Sequence, residues 1–384
     1  MYRIGKEEIE AVARVIESKK LFKTQGPETK SLEAELCELF NVGNAIAMTS
    51  GHAALTSALI AMGIGPGDEV IVPAYTYIAT AMAVVAAGAV PVIAESDETL
   101  TIDPVDVEKK ITKNTKAIIP VHIQGFPCDM DKIMAIAKKH GLYVLEDSCQ
   151  GDGGAYKGKR LGTIGDCGAL SFNVFKIISA GEGGAFFTSN PKFYARALIY
   201  HDSSAVAFFG DQLDGIDEPV FCGHEFRTNE ISSAILRVQL TRLDGILKDL
   251  RANKKYLMEL LAPHFAFAPS NDIEGDCGTT LSLKFDTIEE AQAYSAESKL
   301  TSPINTDKHV FCNWTAIMEK RGAFNPAFDP FKLEANKAIL PNYSKDMCPK
   351  TLEILAKNVY VSINPDWTKA EIEEYAKKLI AFKK

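Results

Sequence analysis

The chain has 384 residues, 46% of them hydrophobic and 24% charged, which is the make-up of a folded globular protein too long for a single core and suited to a large domain plus a smaller one. Its net charge of −8, with no run of lysines and arginines, lacks the clustered cations that a nucleic-acid partner requires. The longest weakly polar stretch, residues 79–94, is too short and too rich in Ala and Gly to span a bilayer, and the early charges Arg3, Lys6, Glu7 and Glu8 do not suit a signal peptide.

From residue 42 to 145 short apolar runs alternate with amphipathic stretches. Residues 45–48, 69–72, 90–93, 117–119 and 143–145 are expected as strands, and 53–62, 78–87, 104–111 and 129–139 as helices. That alternation predicts βαβ units and a mostly parallel sheet, with ligands collecting at the carboxyl ends of its strands. Gly63-Ile64-Gly65-Pro66-Gly67 follows a helix and precedes a strand, the wrong order for a dinucleotide loop, and reads as a turn. Further strands are expected at 168–171 and 185–188. A long helix over 230–250 buries Ile231, Ala234, Ile235, Val238 and Leu243 on one face. The remainder, residues 251–384, reads as a smaller C-terminal α/β domain beside a large domain of residues 1–250 that includes an N-terminal helical segment. Strands are expected there at 280–285 and 359–363, and helices at 288–295 and 369–382, the last started by a capping box of Thr368 and Glu371. The Gly/Pro/Asn-rich region 302–341 is expected as loop, and a loop that long in a compact domain is usually functional.

The chemistry-bearing residues fall at predicted strand ends. Tyr143-Val144-Leu145 runs into Glu146-Asp147. Ser171-Phe172-Asn173-Val174-Phe175-Lys176 precedes Gly181-Glu182-Gly183-Gly184. Strand 45–48 runs into Thr49-Ser50-Gly51-His52, which opens a helix. A helix N-terminus with small residues and free N–H groups is an anion site. A phosphate cradle, a carboxylate and a lysine at one sheet edge are the three groups that pyridoxal phosphate (PLP) demands. Its phosphate needs donors, its pyridine nitrogen a carboxylate, and its aldehyde a nucleophilic amine. The eight cysteines and seven histidines are scattered, without C-x-x-C pairs or H-E-x-x-H spacing, so reduced thiols in a cytoplasmic enzyme and no metal site are expected. Cys149 has no histidine partner in sequence and reads as a packed small residue.

The segments Thr49-Ser50-Gly51-His52-Ala53-Ala54-Leu55, Val70 to Tyr77, Glu146-Asp147-Ser148-Cys149-Gln150, Ser171-Phe172 with Lys176, Gly181-Glu182-Gly183-Gly184 and Gly223-His224-Glu225-Phe226-Arg227 come in one order over the first two thirds of the chain. In order and spacing they resemble the DegT/StrS family of PLP-dependent sugar aminotransferases. The resemblance implies a three-layer αβα fold, the fold-type I architecture of PLP-dependent transferases. It makes Lys176 the lysine that carries the cofactor and moves a proton between the donor's Cα and the cofactor's C4′. It makes Asp147 the partner of the pyridine nitrogen and Gln150 that of the phenolic oxygen. Ser171 becomes a phosphate-binding hydroxyl, Gly51 and His52 a backbone phosphate cradle, and Tyr77 the aromatic stacked on the pyridine ring. Tyr75 suits core packing equally well, and His122 is expected as a satisfied structural histidine.

The same resemblance implies a homodimer with active sites at the interface, glutamate or glutamine as amino donor, and a keto- or aldehydo-sugar as acceptor, as in most of the family nucleotide-linked. The pyridoxamine form of the cofactor would carry the amino group between them. Alternatives within reach are amination of a free 8-oxo sugar acid to 8-amino-3,8-dideoxy-manno-octulosonate, suggested by Cys312-Asn313-Trp314, a PLP-dependent sugar dehydratase, and a non-catalytic member. Dehydratases replace the lysine with histidine, which Lys176 opposes, and intact Lys176, Asp147 and Gln150 oppose a non-catalytic role. One position departs from the pattern: Glu225 stands where the family has an Asn that reaches the partner's cofactor phosphate. A carboxylate facing a phosphate would be repelled, so Glu225 is expected to turn away and pair with a cation, with Arg227 the nearest candidate.

Overall fold

A computed structural model describes residues 3–208, 212–213 and 217–383. Two N-terminal helices, α1 (Lys6–Ser18) and α2 (Glu28–Phe40), precede β1 (Asn44–Met48), α3 (Gly51–Ala61), β2 (Glu69–Pro73), α4 (Ala79–Ala86), β3 (Val90–Ala94), α5 (Pro104–Lys110), β4 (Thr115–Ile118), α6 (Met130–His140) and β5 (Tyr143–Asp147). A two-residue hairpin, β6 (Ala155–Tyr156) and β7 (Lys159–Arg160), leads to β8 (Cys167–Ser171), β9 (Gly184–Thr188), α7 (Pro191–His201) and the long α8 (Glu230–Leu261). The chain closes with β10 (Ala266–Phe267), β11 (Thr280–Lys284), α9 (Ile288–Ser298), α10 (Thr315–Met318), α11 (Pro349–Ala356), β12 (Asn358–Ser362) and α12 (Lys369–Ala381).

The central sheet has seven strands in the order β1-β9-β8-β5-β4-β2-β3. Its pairs are parallel except where β9 runs against β1 and β8. All five residues of β2 and of β8 are buried, as expected of strands covered on both faces. On one face Val70, Val72 and Ile93 pack with α3, α4 and α7; on the other Ile71, Ala94, Ile118 and Val144 pack with α5 and α6. The αβα sandwich expected from the sequence is therefore present. A second sheet, β10-β11-β12, is antiparallel throughout and shares a core with α2, α8 and α12.

Helix starts follow their capping chemistry. Ser50 accepts from the Ala53 N–H at α3, Asp129 from the Lys132 N–H at α6, and Thr368 and Glu371 form the expected capping box at α12. The helix expected over 230–250 runs on to Leu261. No breaker follows Leu250, and Leu257 and Leu261 continue the buried stripe. The turn after α3 is as expected, with Gly63 and Gly67 at φ 79 and 95. The region 302–341 is loop broken by single helical turns and the four-residue α10.

Registry sets the position of the site. Asp147 at the end of β5 pairs with Ala169 of β8, while Ser171 and Met48 both pair with Gly184, the first residue of β9. The carboxyl ends of β1, β5 and β8 thus meet at one edge.

Candidate active site

The first turn of α3 sits directly on that edge. A Cβ at Gly51 would lie 2.6 Å from Cys149 Sγ and 2.9 Å from Ser171 Cβ, and one at Gly184 would lie 2.3 Å from the Ser50 carbonyl. Only glycines let the helix end and β9 approach so closely. The Ser50 hydroxyl is spent on its own helix, whereas the first-turn N–H groups of Gly51 and His52 have no intrahelical acceptor. The His52 ring turns back towards the Ala79 carbonyl (Nδ1 to O, 3.3 Å), and burial lowers its pKa, so the imidazole is neutral and its backbone is what it offers the edge.

Asp147 is buried at the tip of β5. Its Oδ2 accepts from the Thr80 hydroxyl at 2.7 Å and its Oδ1 from the Cys149 N–H at 3.1 Å. Thr80 is itself 2.7 Å from the Thr76 hydroxyl, so a short relay of hydroxyls fixes the carboxylate. Next to it, Glu146 points to the opposite side. It accepts from the Gly162 N–H (2.9 Å) and the Gly165 N–H (2.6 Å) and lies 3.1 Å from His122 Nε2. His122 Nδ1 accepts from the Cys128 N–H at 3.1 Å, which leaves Nε2 as the protonated nitrogen, donating to Glu146. His122 is the satisfied structural histidine expected.

Gln150 follows on the turn after β5. Its Oε1 accepts from the Gln124 N–H at 3.0 Å, and its Nε2 lies 3.4 Å from His309 Nε2. Ser171 is buried beside Gly51. Lys176 lies on the loop after β8, held by its N–H to the Asn173 carbonyl at 3.1 Å. Its amine makes no ion pair among the described residues, and its charge acts on Cys149, Asp152 and His309. Burial pushes the Cys149 thiol well above its ordinary range, consistent with a packed rather than nucleophilic sulfur.

Tyr77 is 41% exposed at the mouth, its ring edge-on to His309 at 5.4 Å, with Lys308 Nζ 5.3 Å from its centroid. Tyr75 is fully buried and belongs to the core. His309 is a residue that sequence reasoning missed. The 308–311 segment pairs with the end of β2 through Thr76 N–H to His309 O (2.9 Å), Ile78 N–H to Lys308 O (3.0 Å) and Phe311 N–H to Ala74 O (3.0 Å). That pairing carries a histidine from the C-terminal third to the strand-end edge. Burial lowers the His309 pKa, and Lys176 lowers it further. Thr80 and Gln124 were missed as well; the one signal in sequence was the length of the 302–341 loop.

Glu225 lies on a strand-like segment bonded to the end of β1 by Thr49 N–H to Phe226 O at 2.9 Å. Its Oε2 is 2.6 Å from the Arg227 guanidinium, which also meets Asp202. The expected pairing with Arg227 is the one found. Among the described residues no cluster of His, Cys, Asp and Glu suits a metal, and no helix is long and apolar enough to cross a membrane.

A sequence model of the DegT/DnrJ/EryC1/StrS aminotransferase family matches residues 2–379. The chain belongs to that family. It is 40% identical over 253 residues to the spore coat polysaccharide biosynthesis protein SpsC of Bacillus subtilis, an alignment covering 64% of each chain. It is 39% identical over 237 residues to the dTDP-3-amino-3,4,6-trideoxy-alpha-D-glucose transaminase of Streptomyces venezuelae, covering 61% of this chain and 60% of the relative. Both alignments thus span less than two thirds of the relatives' length. The fold superposes on the aminotransferase of Psychrobacter cryohalolentis with a TM-score of 0.81 at 28% identity, over 99% of this chain and 98% of the other. The architecture expected from the resemblance, fold-type I of the PLP-dependent transferases, is the one this family member adopts.

Proposed function

We propose that this chain is a PLP-dependent aminotransferase that carries its cofactor on Lys176 and moves an amino group from glutamate or glutamine to a keto- or aldehydo-sugar, nucleotide-linked, in amino-sugar biosynthesis. The observation that carries the reading is the meeting of a lysine with no ion pair among the described residues, a doubly hydrogen-bonded carboxylate and a glycine-seated helix N-terminus at one sheet edge. Membership of the aminotransferase family supports the reaction type, the dTDP-sugar transaminase relative supports a nucleotide-linked acceptor, and the spore coat polysaccharide relative supports a place in sugar biosynthesis.

The residues fit the cofactor. Only a glycine at position 51 lets the α3 N-terminus seat against Cys149 and Ser171, and a phosphate at that helix end would meet the Gly51 and His52 N–H groups and the Ser171 hydroxyl. When bound, PLP supplies an electron sink for the pair released as the donor's Cα proton leaves. Asp147, held in place by the Thr80 hydroxyl and the Cys149 N–H, would be the carboxylate that meets the pyridine nitrogen. Gln150, whose Oε1 is engaged by the Gln124 N–H, would offer its amide nitrogen to the phenolic oxygen. Tyr77, at the mouth of the site, would be the aromatic that covers the ring face. Lys176 would serve as the base that removes the donor's Cα proton and as the acid that returns a proton to the aminated sugar.

The working form is a homodimer with its two sites at the interface. Val174 and Phe175, next to Lys176, are 46% and 80% exposed in the single chain, an apolar pair that a second chain would cover. The eight unpaired cysteines suit a reducing, cytoplasmic compartment. The deciding experiment is mass spectrometry of products after incubation with nitrogen-15 glutamate or glutamine and a panel of keto-sugars, nucleotide-linked and free. Labelled nitrogen in a nucleotide-linked sugar is expected. Label only in a free sugar acid would move the acceptor class, and elimination products without label would replace transamination with dehydration.

A further inference from the structure

Gln150 is held from two sides, and both holds lead to the C-terminal third of the chain. On one side its Oε1 accepts from the Gln124 N–H at 3.0 Å. Gln124 is in the left-handed region, at φ 54, which residues other than glycine seldom adopt. Two buried threonines at the entry to β11 hold it there: Thr279 donates its hydroxyl to the Gln124 carbonyl at 2.6 Å, and Thr280 donates to Gln124 Oε1 at 3.0 Å. On the other side Gln150 Nε2 lies 3.4 Å from His309 Nε2.

These contacts assign the hydrogens. A backbone N–H only donates, so the end of the Gln150 amide that meets Gln124 is the oxygen, and the end that meets His309 is the NH2 group. An amide NH2 also only donates, so His309 Nε2 is the ring nitrogen with the lone pair. Its Nδ1 then carries the hydrogen and donates to the Thr306 carbonyl at 3.1 Å. Burial lowers the His309 pKa and Lys176 and Lys308 lower it further, against the Thr306 carbonyl and Asp307, so the ring is neutral. One of the two Gln150 amide hydrogens is thereby directed at His309, and the other is left for a further acceptor.

We propose that His309 is a positioning residue for Gln150: its Nε2 lone pair takes one amide hydrogen and so leaves the other for the phenolic oxygen of the cofactor. The Gln124 contact alone would hinge the amide at its oxygen and let the NH2 group swing; the second contact stops it. The 308–311 segment that docks on the end of β2 therefore also sets the amide that meets the cofactor. The inference rests on the reading in which Gln150 meets that oxygen.

The test follows the absorbance of the PLP-loaded full-length chain against pH and reads the midpoint at which the bound chromophore loses its proton. A donor on the phenolic oxygen stabilises the charge left there, so losing the donor raises the midpoint. Gln150→Leu should raise it by about one pH unit. His309→Leu removes an acceptor without changing the charge, and should raise it by roughly half to one unit. His309→Gln, whose amide oxygen can take the same hydrogen, should return it to within about 0.3 unit of the wild type, which a purely structural role would not predict. Added to Gln150→Leu, His309→Leu should move it no further. A midpoint unmoved in His309→Leu overturns the proposal, as does a shift that persists undiminished in the absence of Gln150. An unmoved midpoint in Gln150→Leu ends both the proposal and the reading of Gln150, whereas a shift there with none in His309→Leu ends only the role of His309. Nitrogen-15 NMR of the cofactor-free wild type, labelled in its histidines, decides the matter even where His309→Leu fails to fold. At about pH 7.5, well above an ordinary histidine pKa, His309 Nε2 should be unprotonated, and a proton there overturns the proposal.

Discussion

Thr80→Val tests how the Asp147 carboxylate is held. Valine keeps the volume of threonine in this buried position and removes the hydroxyl that donates to Asp147 Oδ2 at 2.7 Å, leaving only the Cys149 N–H at 3.1 Å on the other oxygen. A hydrogen bond to a charged group contributes about 1.5–3 kcal/mol. If that contribution serves the ionised form that keeps the pyridine nitrogen protonated, its loss should lower the rate of the donor half-reaction roughly 10- to 100-fold. Cofactor occupancy should stay high, because Lys176 and the phosphate cradle are untouched. Asp147→Asn alone should cost on the order of 10²-fold or more, like removal of other preorganised charges. The discriminating measurement is the double-mutant cycle, read as single-turnover rates with glutamate. Once Asp147 is Asn, there is no charge for Thr80 to support, so Thr80→Val should add little and the coupling should reach about 1–3 kcal/mol. Additive losses, within about 0.5 kcal/mol, would show that Thr80 acts through packing of α4 and would refute the reasoning.

Lys176→Ala should abolish the PLP absorbance band near roughly 410–430 nm and with it all turnover; a variant that kept both would remove Lys176 from the reaction. Glu225→Asn should leave PLP affinity unchanged or modestly tighter, by under ~1.4 kcal/mol, and flat between about pH 6 and 9, since the carboxylate is engaged with Arg227. Affinity that falls with rising pH in the wild type alone would instead mark a protonated Glu225 on the phosphate. His201 is held neutral by burial and by Lys23, with Nδ1 donating to the Leu198 carbonyl at 2.7 Å and Nε2 3.1 Å from Lys23 Nζ. Its folded pKa lies well below that of the unfolded chain, so stability is full above about pH 6.5 and is lost as pH falls below it. Urea unfolding between pH 5 and 8 should show that acid limb weakened in His201→Gln. Light scattering should give twice the chain mass, and an active monomer would contradict sites at a dimer interface.

The central sheet was legible because each strand is a short, almost wholly apolar run, as in β2 with all five residues buried, and each helix start carries a local cap. Such signals act over a few residues and survive without tertiary context. The extent of α8 was less legible: at Leu250 the apolar stripe thins into Arg251-Ala252-Asn253. Only packing against the second sheet shows that Lys254, Leu257 and Leu261 continue it. At the site the same rule applies. Asp147 and Ser171 end the adjacent strands β5 and β8, and Gly51 opens α3 just after β1, whose end is brought level with Ser171 by their shared partner Gly184 of β9, so registry unites them. Thr80, Gln124 and His309 reach the site from other segments. Thr80 comes by the entry of α4, and His309 by the docking of the 308–311 segment on the end of β2.

This difference in origin divides the site into a floor and a wall with different physical tolerance. The floor is made of strand ends whose neighbours are fixed by the ladder, and at Gly51 and Gly184 the α3 N-terminus and β9 pack too closely to admit a methyl group, so its geometry is set by the backbone. The wall is made by Tyr77, Lys308 and His309, brought together where a C-terminal loop docks on the end of β2 through three backbone hydrogen bonds. Backbone docking of that kind constrains the path of the loop but not its side chains, which can be replaced without disturbing the floor. On the proposed reading, acceptor preference would therefore lie with the wall, whose side chains the fold constrains least, and cofactor chemistry with the strand ends, which the sheet constrains most.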